Sequence, residues 1–299
     1  MLGAPYEHKH NPGDVCIVSS KAVQPIVALI SDSVGGNPTQ YMIEKAFAHH
    51  DLDWRYLTVE VSPANLADAV RGIRALGFSG GHCGNPHKEA ILPLLDRTTE
   101  TVDAIGAANL IFRDGEDLVG ENTEGRGLVD LAARVTELAE KRVVLFGAGH
   151  AARAVGIELA KAGVVEINVV DRTEERGGLL AGLLAGNFHV AASAVIWQDH
   201  YEVPPQTDLL VNATSLGVED PDVVLPIRLE SLKPEMIVAD MTTDPPQTWL
   251  LREAQQRGCT TLDGLGMFIE QVAIGVKIWT GVDADREVMR DAVEEFLEL

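Results

Sequence analysis

The stretch from Lys141 to Thr173, KRVVLFGAGHAARAVGIELAKAGVVEINVVDRT, admits few folds. Val143 to Phe146 is an unbroken apolar run, as a parallel strand buried on both faces requires. Gly147-Ala148-Gly149-His150-Ala151-Ala152 then fits G-x-G-x-x-G/A. In that pattern Gly147 permits the tight turn, Gly149 lets a pyrophosphate approach the backbone, and Ala152 is small enough for the helix to pack on the strand. Free N–H groups at the helix start face the phosphates. A helix follows, then a second strand closed by Asp171 about 20 residues further on, where an acid meets a ribose hydroxyl. The glycines alone are also compatible with a plain strand-to-helix turn; strand, helix and closing acid together predict half of a dinucleotide-binding fold.

That unit cannot account for 299 residues, because single cores stop growing near ~250. Two domains are expected. A net charge of -21 argues against nucleic-acid or anionic-membrane partners, which need clustered cations. No run of ~20 apolar residues and no signal-peptide core stand out, so a cytoplasmic setting is expected. Cys16, Cys83 and Cys259 are odd in number and far apart, which suggests neither a disulfide framework nor a zinc site. His8 and His10 lack further ligands, and no metal is expected.

Residues 1–21 show no period and read as a poorly ordered leader. Gln24 to Ile30 is a strand, Gln40 to His50 a helix, and Trp54 to Val61 a strand. Ser62 as N-cap with Pro63 at the first helical position starts a helix through Leu76. A short strand begins at Phe78, and His87 to Leu95 turns helical. Repetition of strand, loop and helix marks an α/β layer. A strand within Asp103 to Arg113 pairs with Leu118 to Thr123 across Asp114-Gly115 as a hairpin. Gly125 to Leu138 is an amphipathic helix. Strands at 190–196, 209–212, 236–240 and 259–262, a helix at 248–257 and closing helices at 267–280 and 283–299 complete the reading. Residues 1–124 plus 266–299 are expected to form an α/β substrate domain, and 125–265 a doubly wound, Rossmann-type nucleotide domain.

Six ordered motifs give the chain a family likeness. They are His82-Cys83-Gly84-Asn85-Pro86-His87-Lys88, Gly106-Ala107-Ala108-Asn109-Leu110, Asn122-Thr123-Glu124-Gly125, the glycine turn, Val211-Asn212-Ala213-Thr214-Ser215-Leu216-Gly217, and DGLGMFIEQVA with KIWTG near the end. Over almost its full length the chain resembles the shikimate/quinate dehydrogenase family. The resemblance implies an oxidoreductase moving a hydride between a nicotinamide and a ring hydroxyl of a small cyclic hydroxy acid, as monomer or homodimer. It places Lys88 and Glu124 at the reacting hydroxyl, where a positioned amine acts as acid and base. Asn109 and Gln271 match residues that bond substrate hydroxyls. Gly147, Ala148, Gly149, His150, Ala151, Asn212, Ala213, Thr214 and Gly264 match cofactor contacts.

Several matched positions depart from the family. Glu124 replaces Asp and adds a methylene, which implies shifted geometry. Asn37-Pro38-Thr39 stands where a S-x-S loop receives the substrate carboxylate, His82 and Gly84 replace Asn and Thr, and Thr243 replaces a Tyr. His82 is equally readable as packing, as a substrate contact or as a pH-sensitive group. Ring recognition is therefore altered while the hydroxyl-oxidising half is kept, and the implied substrate need not be shikimate itself. For the cofactor, Asp171 favours a free ribose hydroxyl, whereas Arg172 and Arg176 suit a 2′-phosphate; NAD is expected over NADP. The alternative to an enzyme is a non-catalytic nicotinamide- or metabolite-binding sensor on the same fold. Another two-domain dehydrogenase, acting on folate-like or amino-acid substrates, would share the glycine turn without needing P-H-K.

Overall fold

The computed structural model describes residues 23–218 and 220–299. The expected leader, with His8, His10 and Cys16, lies outside the described residues.

Two six-stranded sheets organise the chain. The first takes β1 (Ile26–Ser31), β2 (Arg55–Glu60), β3 (Gly80–Cys83), β4 (Arg97–Thr98), β5 (Leu110–Asp114) and β6 (Asp117–Glu121) in the order β2-β1-β3-β5-β6-β4. Strands β2, β1 and β3 are parallel, and β5 is antiparallel to β3 and forms the expected hairpin with β6. The second takes β7 (Arg142–Phe146), β8 (Glu166–Asp171), β9 (Ala191–Ile196), β10 (Leu209–Asn212), β11 (Ile237–Asp240) and β12 (Thr260–Leu262) in the order β12-β11-β10-β7-β8-β9, all parallel. The strand order reverses between β7 and β10. In an open α/β sheet that reversal leaves a crevice at the strands' carboxyl ends, where ligands bind.

The helices are α1 (Thr39–His49), α2 (Leu66–Ala75), α3 (His87–Ala90), α4 (Glu100–Ile105), α5 (Glu124–Ala133), α6 (His150–Lys161), α7 (Glu174–Phe188), α8 (Trp249–Gln256), α9 (Gly264–Thr280) and α10 (Arg286–Leu297). Helix α5 ends at Ala133 rather than at the expected Leu138, and four further differences from the sequence expectation each have a local reason. Ser62 makes no side-chain capping bond, and Pro63–Asn65 is a 3₁₀ turn ahead of α2. The expected helix from His87 to Leu95 breaks into α3 and a 3₁₀ turn at Leu92–Leu94, since Pro93 has no N–H for the ladder. Helix α4, not expected, is capped by Thr99, whose side chain accepts from the Val102 N–H, and ends at Gly106 with φ +78°. Asp263 caps α9 by accepting from the Gly266 N–H at 2.6 Å, three residues before the expected start.

Helix α5 joins the two layers. A Cβ on Gly125 would sit 2.1 Å from the Ala154 carbonyl oxygen of α6, and one on Gly127 would sit 2.7 Å from the Met267 oxygen of α9. Only glycine permits both approaches. The N-terminus of α5, with Glu124 as its first residue, is thereby held between α6 of the nucleotide side and α9, which returns to pack on Val27, Leu29 and Tyr56 of the first sheet.

Candidate active site

Lys88 follows β3 on α3, and its carbonyl accepts from the Ala108 N–H at 2.8 Å, which ties the helix to the segment before β5. Its ammonium meets Glu124 Oε1 in direct contact. The extra methylene of Glu124 has not broken the pair. Glu124 is 9% exposed, and its own N–H donates to Asn122 Oδ1 at 3.1 Å; a carboxylate at a helix N-terminus is further favoured by the backbone dipole. Asn109 holds the preceding turn at both ends of its amide: Nδ2 donates to Thr123 Oγ1 at 3.1 Å, and Oδ1 accepts from the Thr123 N–H at 2.8 Å. Gln271 lies on α9 against Gly127, one turn along α5 from Glu124, and its Oε1 is buried without a hydrogen-bond partner. The structure thus brings Lys88, Glu124, Asn109 and Gln271 together. What they compose is an amine held by a carboxylate, flanked by amides with bonding capacity to spare.

His82 lies on β3, paired across the sheet with Leu110, the neighbour of Asn109. Its Nδ1 is 2.7 Å from the Tyr56 hydroxyl, and its ring meets Trp279 edge-on at 4.8 Å. Burial, with the Lys88 charge adding to it, lowers its pKa to about 3. That shift works against a pH-sensitive role near neutrality, because burial disfavours the charged imidazole. The sign of the linkage is fixed: below the ordinary value of 6.5 the unfolded chain takes up a proton that the folded chain refuses until about 3. Stability from this residue is complete above that upper value and is lost as pH falls towards the lower one. Urea unfolding of His82→Asn across this range should show a shallower acid loss, by up to one proton's slope; identical slopes would contradict it. Burial also pushes the neighbouring Cys83 thiol up to about 12, so it is not a nucleophile.

Among the described residues no hydrogen bond links the remaining substrate-side positions to Lys88, Glu124, Asn109 or Gln271. Asn37 Oδ1 accepts from the Thr39 N–H at 2.9 Å, and Asn37 lines a separate cleft of about 590 Å³ between α1 and β2, with Tyr41, Tyr56 and Thr58. Thr39 is 4% exposed. Gly84 is explained by a residue the motifs did not flag: a Cβ there would lie 2.5 Å from Ser31 Oγ, which donates to the Asn85 carbonyl at 2.9 Å. Thr243 is half-buried in the loop after β11.

At the crevice between β7 and β10, Gly147, Ala148, Gly149, Asp171, Arg172, Arg176, Ala213 and Thr214 line one cavity of about 250 Å³. A Cβ on Gly147, at φ +102°, would press to 2.8 Å from the Ala213 carbonyl oxygen, so the turn requires glycine. The cradle and the two arginines fit a dinucleotide with its phosphates. Three lining residues went unread: Trp197, which packs on Phe146 at 4.8 Å and donates to the Pro226 carbonyl at 2.9 Å, and Ser215 and Leu216 of the quoted motif. Position just past the end of β9 was the available signal for Trp197. Four further expected cofactor contacts do not line this cavity. His150 meets Glu89 of α3 at 3.3 Å, and Ala151 lies in the first turn of α6. Asn212 is buried, accepting from the Thr214 N–H at 3.1 Å and donating to Asp240 at 3.1 Å, so it braces the loop. Gly264 packs on the backbone of Thr242, where a Cβ would come within 2.2 Å of the carbonyl oxygen.

Comparison with known proteins decides what this arrangement is. Residues 29–111 match the profile of the shikimate dehydrogenase substrate binding domain, residues 130–218 that of shikimate / quinate 5-dehydrogenase, and residues 264–294 that of the shikimate 5′-dehydrogenase C-terminal domain. The shikimate dehydrogenase (NADP(+)) of Desulforamulus reducens is 36% identical over 85% of this chain and 89% of its own length. The chain belongs to the shikimate/quinate dehydrogenase family. The shikimate dehydrogenase (NADP(+)) of Moorella thermoacetica is 37% identical over 93% of this chain and 96% of its own. Among solved structures, the ligand-free 5-ketofructose reductase of a Gluconobacter species is 40% identical, with a TM-score of 0.89 over 92% of this chain and 99% of that one. The two-domain α/β fold is that of the family, and this member is an NAD(P)-dependent oxidoreductase acting on CH–OH.

The expected preference for NAD is corrected by these relatives, which are named for NADP(+). The structure supplies a physical reason. One oxygen of Asp171 is engaged by the Thr173 N–H at 2.8 Å, while Arg172 and Arg176 share the cavity and form no ion pair among the described residues. No group of three or more metal-ligating side chains occurs among the described residues, and no helix there is long and apolar enough to cross a membrane.

Proposed function

We propose that this dehydrogenase interconverts a ring hydroxyl and the corresponding ketone of a shikimate- or quinate-like cyclic hydroxy acid with NADP(H). The observation that carries this reading is the direct contact of Lys88 with Glu124 beside Asn109 and Gln271. When bound, NADP would accept the hydride in the oxidation and NADPH would supply it in the reduction. In the reduction the Lys88 ammonium gives a proton to the carbonyl oxygen as the hydroxyl forms, and in the oxidation the neutral amine takes that proton back, for which a heavy-atom approach of ~2.6–3.2 Å is needed. Glu124 holds the amine, Asn109 and Gln271 bond ring hydroxyls, and Arg172 and Arg176 take the 2′-phosphate. Asp171, Gly147, Ala148, Gly149, Ala213 and Thr214 complete the cofactor cradle. A cytoplasmic location is supported by the free, buried Cys83 and Cys259.

A second reading, a carbonyl sugar lacking the carboxylate, is favoured by one set of observations. The positions aligned with the family's carboxylate loop are Asn37, whose carbonyl is occupied by Thr39, and the buried Thr39, and the chain is 40% identical to a 5-ketofructose reductase. The test is kcat/KM with NADP(H) for shikimate, quinate and 5-ketofructose. Turnover of shikimate or quinate supports the first reading, turnover of 5-ketofructose alone the second, and turnover of none contradicts both.

A further inference from the structure

The first reading gives Gln271 a ring hydroxyl and gives His82 no partner, yet each carries a buried polar atom, and the two lie one helical turn apart along α9. His82 Nε2 and Gln271 Oε1 are both buried with no hydrogen-bond partner among the described residues. His82 is 8% exposed, and its Nε2 sits 3.1 Å from where a Cβ on Gly275 would be; Gln271 is the residue four positions earlier on the same helix face.

Which of these atoms carries a hydrogen follows from Tyr56. That side chain is fully buried, its hydroxyl has His82 Nδ1 as its one partner among the described residues at 2.7 Å, and burial keeps it protonated by raising its pKa well above the ordinary value. Its hydrogen therefore goes to Nδ1, and the neutral ring carries its own proton on Nε2. The other tautomer would strand the tyrosine hydrogen in the core. Trp279, packed on the same ring, is no rival acceptor, because its indole N–H is spent on the Ile111 carbonyl at 2.9 Å. An unspent donor and an unspent acceptor remain, buried along one face of α9. A hydroxyl is the simplest group that accepts and donates at once, and leaving both atoms unpaired is costly.

We propose that a single hydroxyl of the substrate ring bridges His82 and Gln271, accepting from Nε2–H and donating to Oε1, with Tyr56 as the positioning residue that fixes the imidazole. This rests on the proposed ring-alcohol reaction and says how one of its hydroxyls is recognised. The pair is specific to a hydroxyl: a keto oxygen would satisfy only His82, and a carboxylate would meet the Gln271 oxygen with like charge.

The test uses the best-used of shikimate, quinate and 5-ketofructose with NADP(H). His82→Leu and Gln271→Leu should each lower kcat/KM about tenfold or more, chiefly through KM. The double variant should fall no more than about twofold below the weaker single, because both residues hold one group. His82→Gln, whose amide nitrogen reaches towards the Nε2 position, should recover most of the loss. Independent losses that multiply in the double variant, or a His82→Leu enzyme with unchanged KM, overturn the bridge while leaving the reaction intact. Absence of turnover in the unmodified protein overturns the reaction as well. Should the variants fail to fold, ¹⁵N-resolved imidazole spectra of the unmodified protein decide: the His82 Nε2–H signal should shift on saturation with quinate or shikimate. A proton on Nδ1, or a signal unmoved by bound substrate, overturns the bridge and leaves water as the group between the two residues.

Discussion

Lys88→Ala abolishes measurable turnover while NADP affinity stays within a few-fold. A positioned acid/base contributes about 10²–10⁴ in rate, and here the amine is also the partner that neutralises Glu124, a carboxylate only 9% exposed. Removing it takes away the group that exchanges the hydroxyl proton and leaves a buried charge uncompensated, so the variant should also lose stability, by ~1–3 kcal/mol. The cofactor cavity, at the crevice between β7 and β10, contains neither residue, which is why binding survives. Steady-state assays together with NADPH titration check both halves. Retained turnover would remove Lys88 from proton transfer. Glu124→Asp withdraws the carboxylate from Lys88 by one methylene and should lower kcat less than Lys88→Ala does, because the amine remains.

The second large effect concerns the cofactor. Arg172→Ala with Arg176→Ala should reduce kcat/KM for NADP by roughly 10–10²-fold and leave NAD usage nearly unchanged. Charge-assisted contacts to a phosphate are among the stronger hydrogen bonds, but both arginines are exposed and solvent screening reduces their worth. The loss should appear in KM, because a ribose phosphate lies far from the reacting carbon. Equal losses with NAD and NADP would show that the arginines hold the shared part of the dinucleotide rather than the 2′-phosphate.

The nucleotide domain was legible because its constraints are local. The apolar run of β7, the turn at Gly147 and Gly149 and the acid closing β8 each follow from short-range sterics, and the sheet order follows from them. The Lys88–Glu124 pair was legible through the motifs, although its direct contact was not, since the longer side chain gives no indication of where the backbone compensates. What escaped was set by pairs distant in sequence. Tyr56 fixes His82 from 26 residues away, Ser31 excludes a side chain at Gly84 across the β1–β3 edge, and Gly125 and Gly127 read as an unexceptional helix start until α6 and α9 press against them. Asn212, which the motif implies as a ligand contact, bonds to Thr214 and Asp240 and so also braces the loop whose following residues line the cavity, a role that its spacing alone does not reveal. Asp171 misled on the cofactor because a carboxylate at a strand end reads as a ribose ligand, whereas one oxygen here closes the turn onto Thr173.

The most direct test of the account is to follow the hydride itself. Quinate and shikimate deuterated at the oxidised carbinol carbon, incubated with NADP and the unmodified enzyme, should deliver deuterium to the nicotinamide ring of the NADPH formed. Omission of enzyme, or the Lys88→Ala variant, should deliver none. NADP and ring alcohol binding to the protein with no label reaching the nicotinamide would contradict the assignment and leave a binding protein on a dehydrogenase fold.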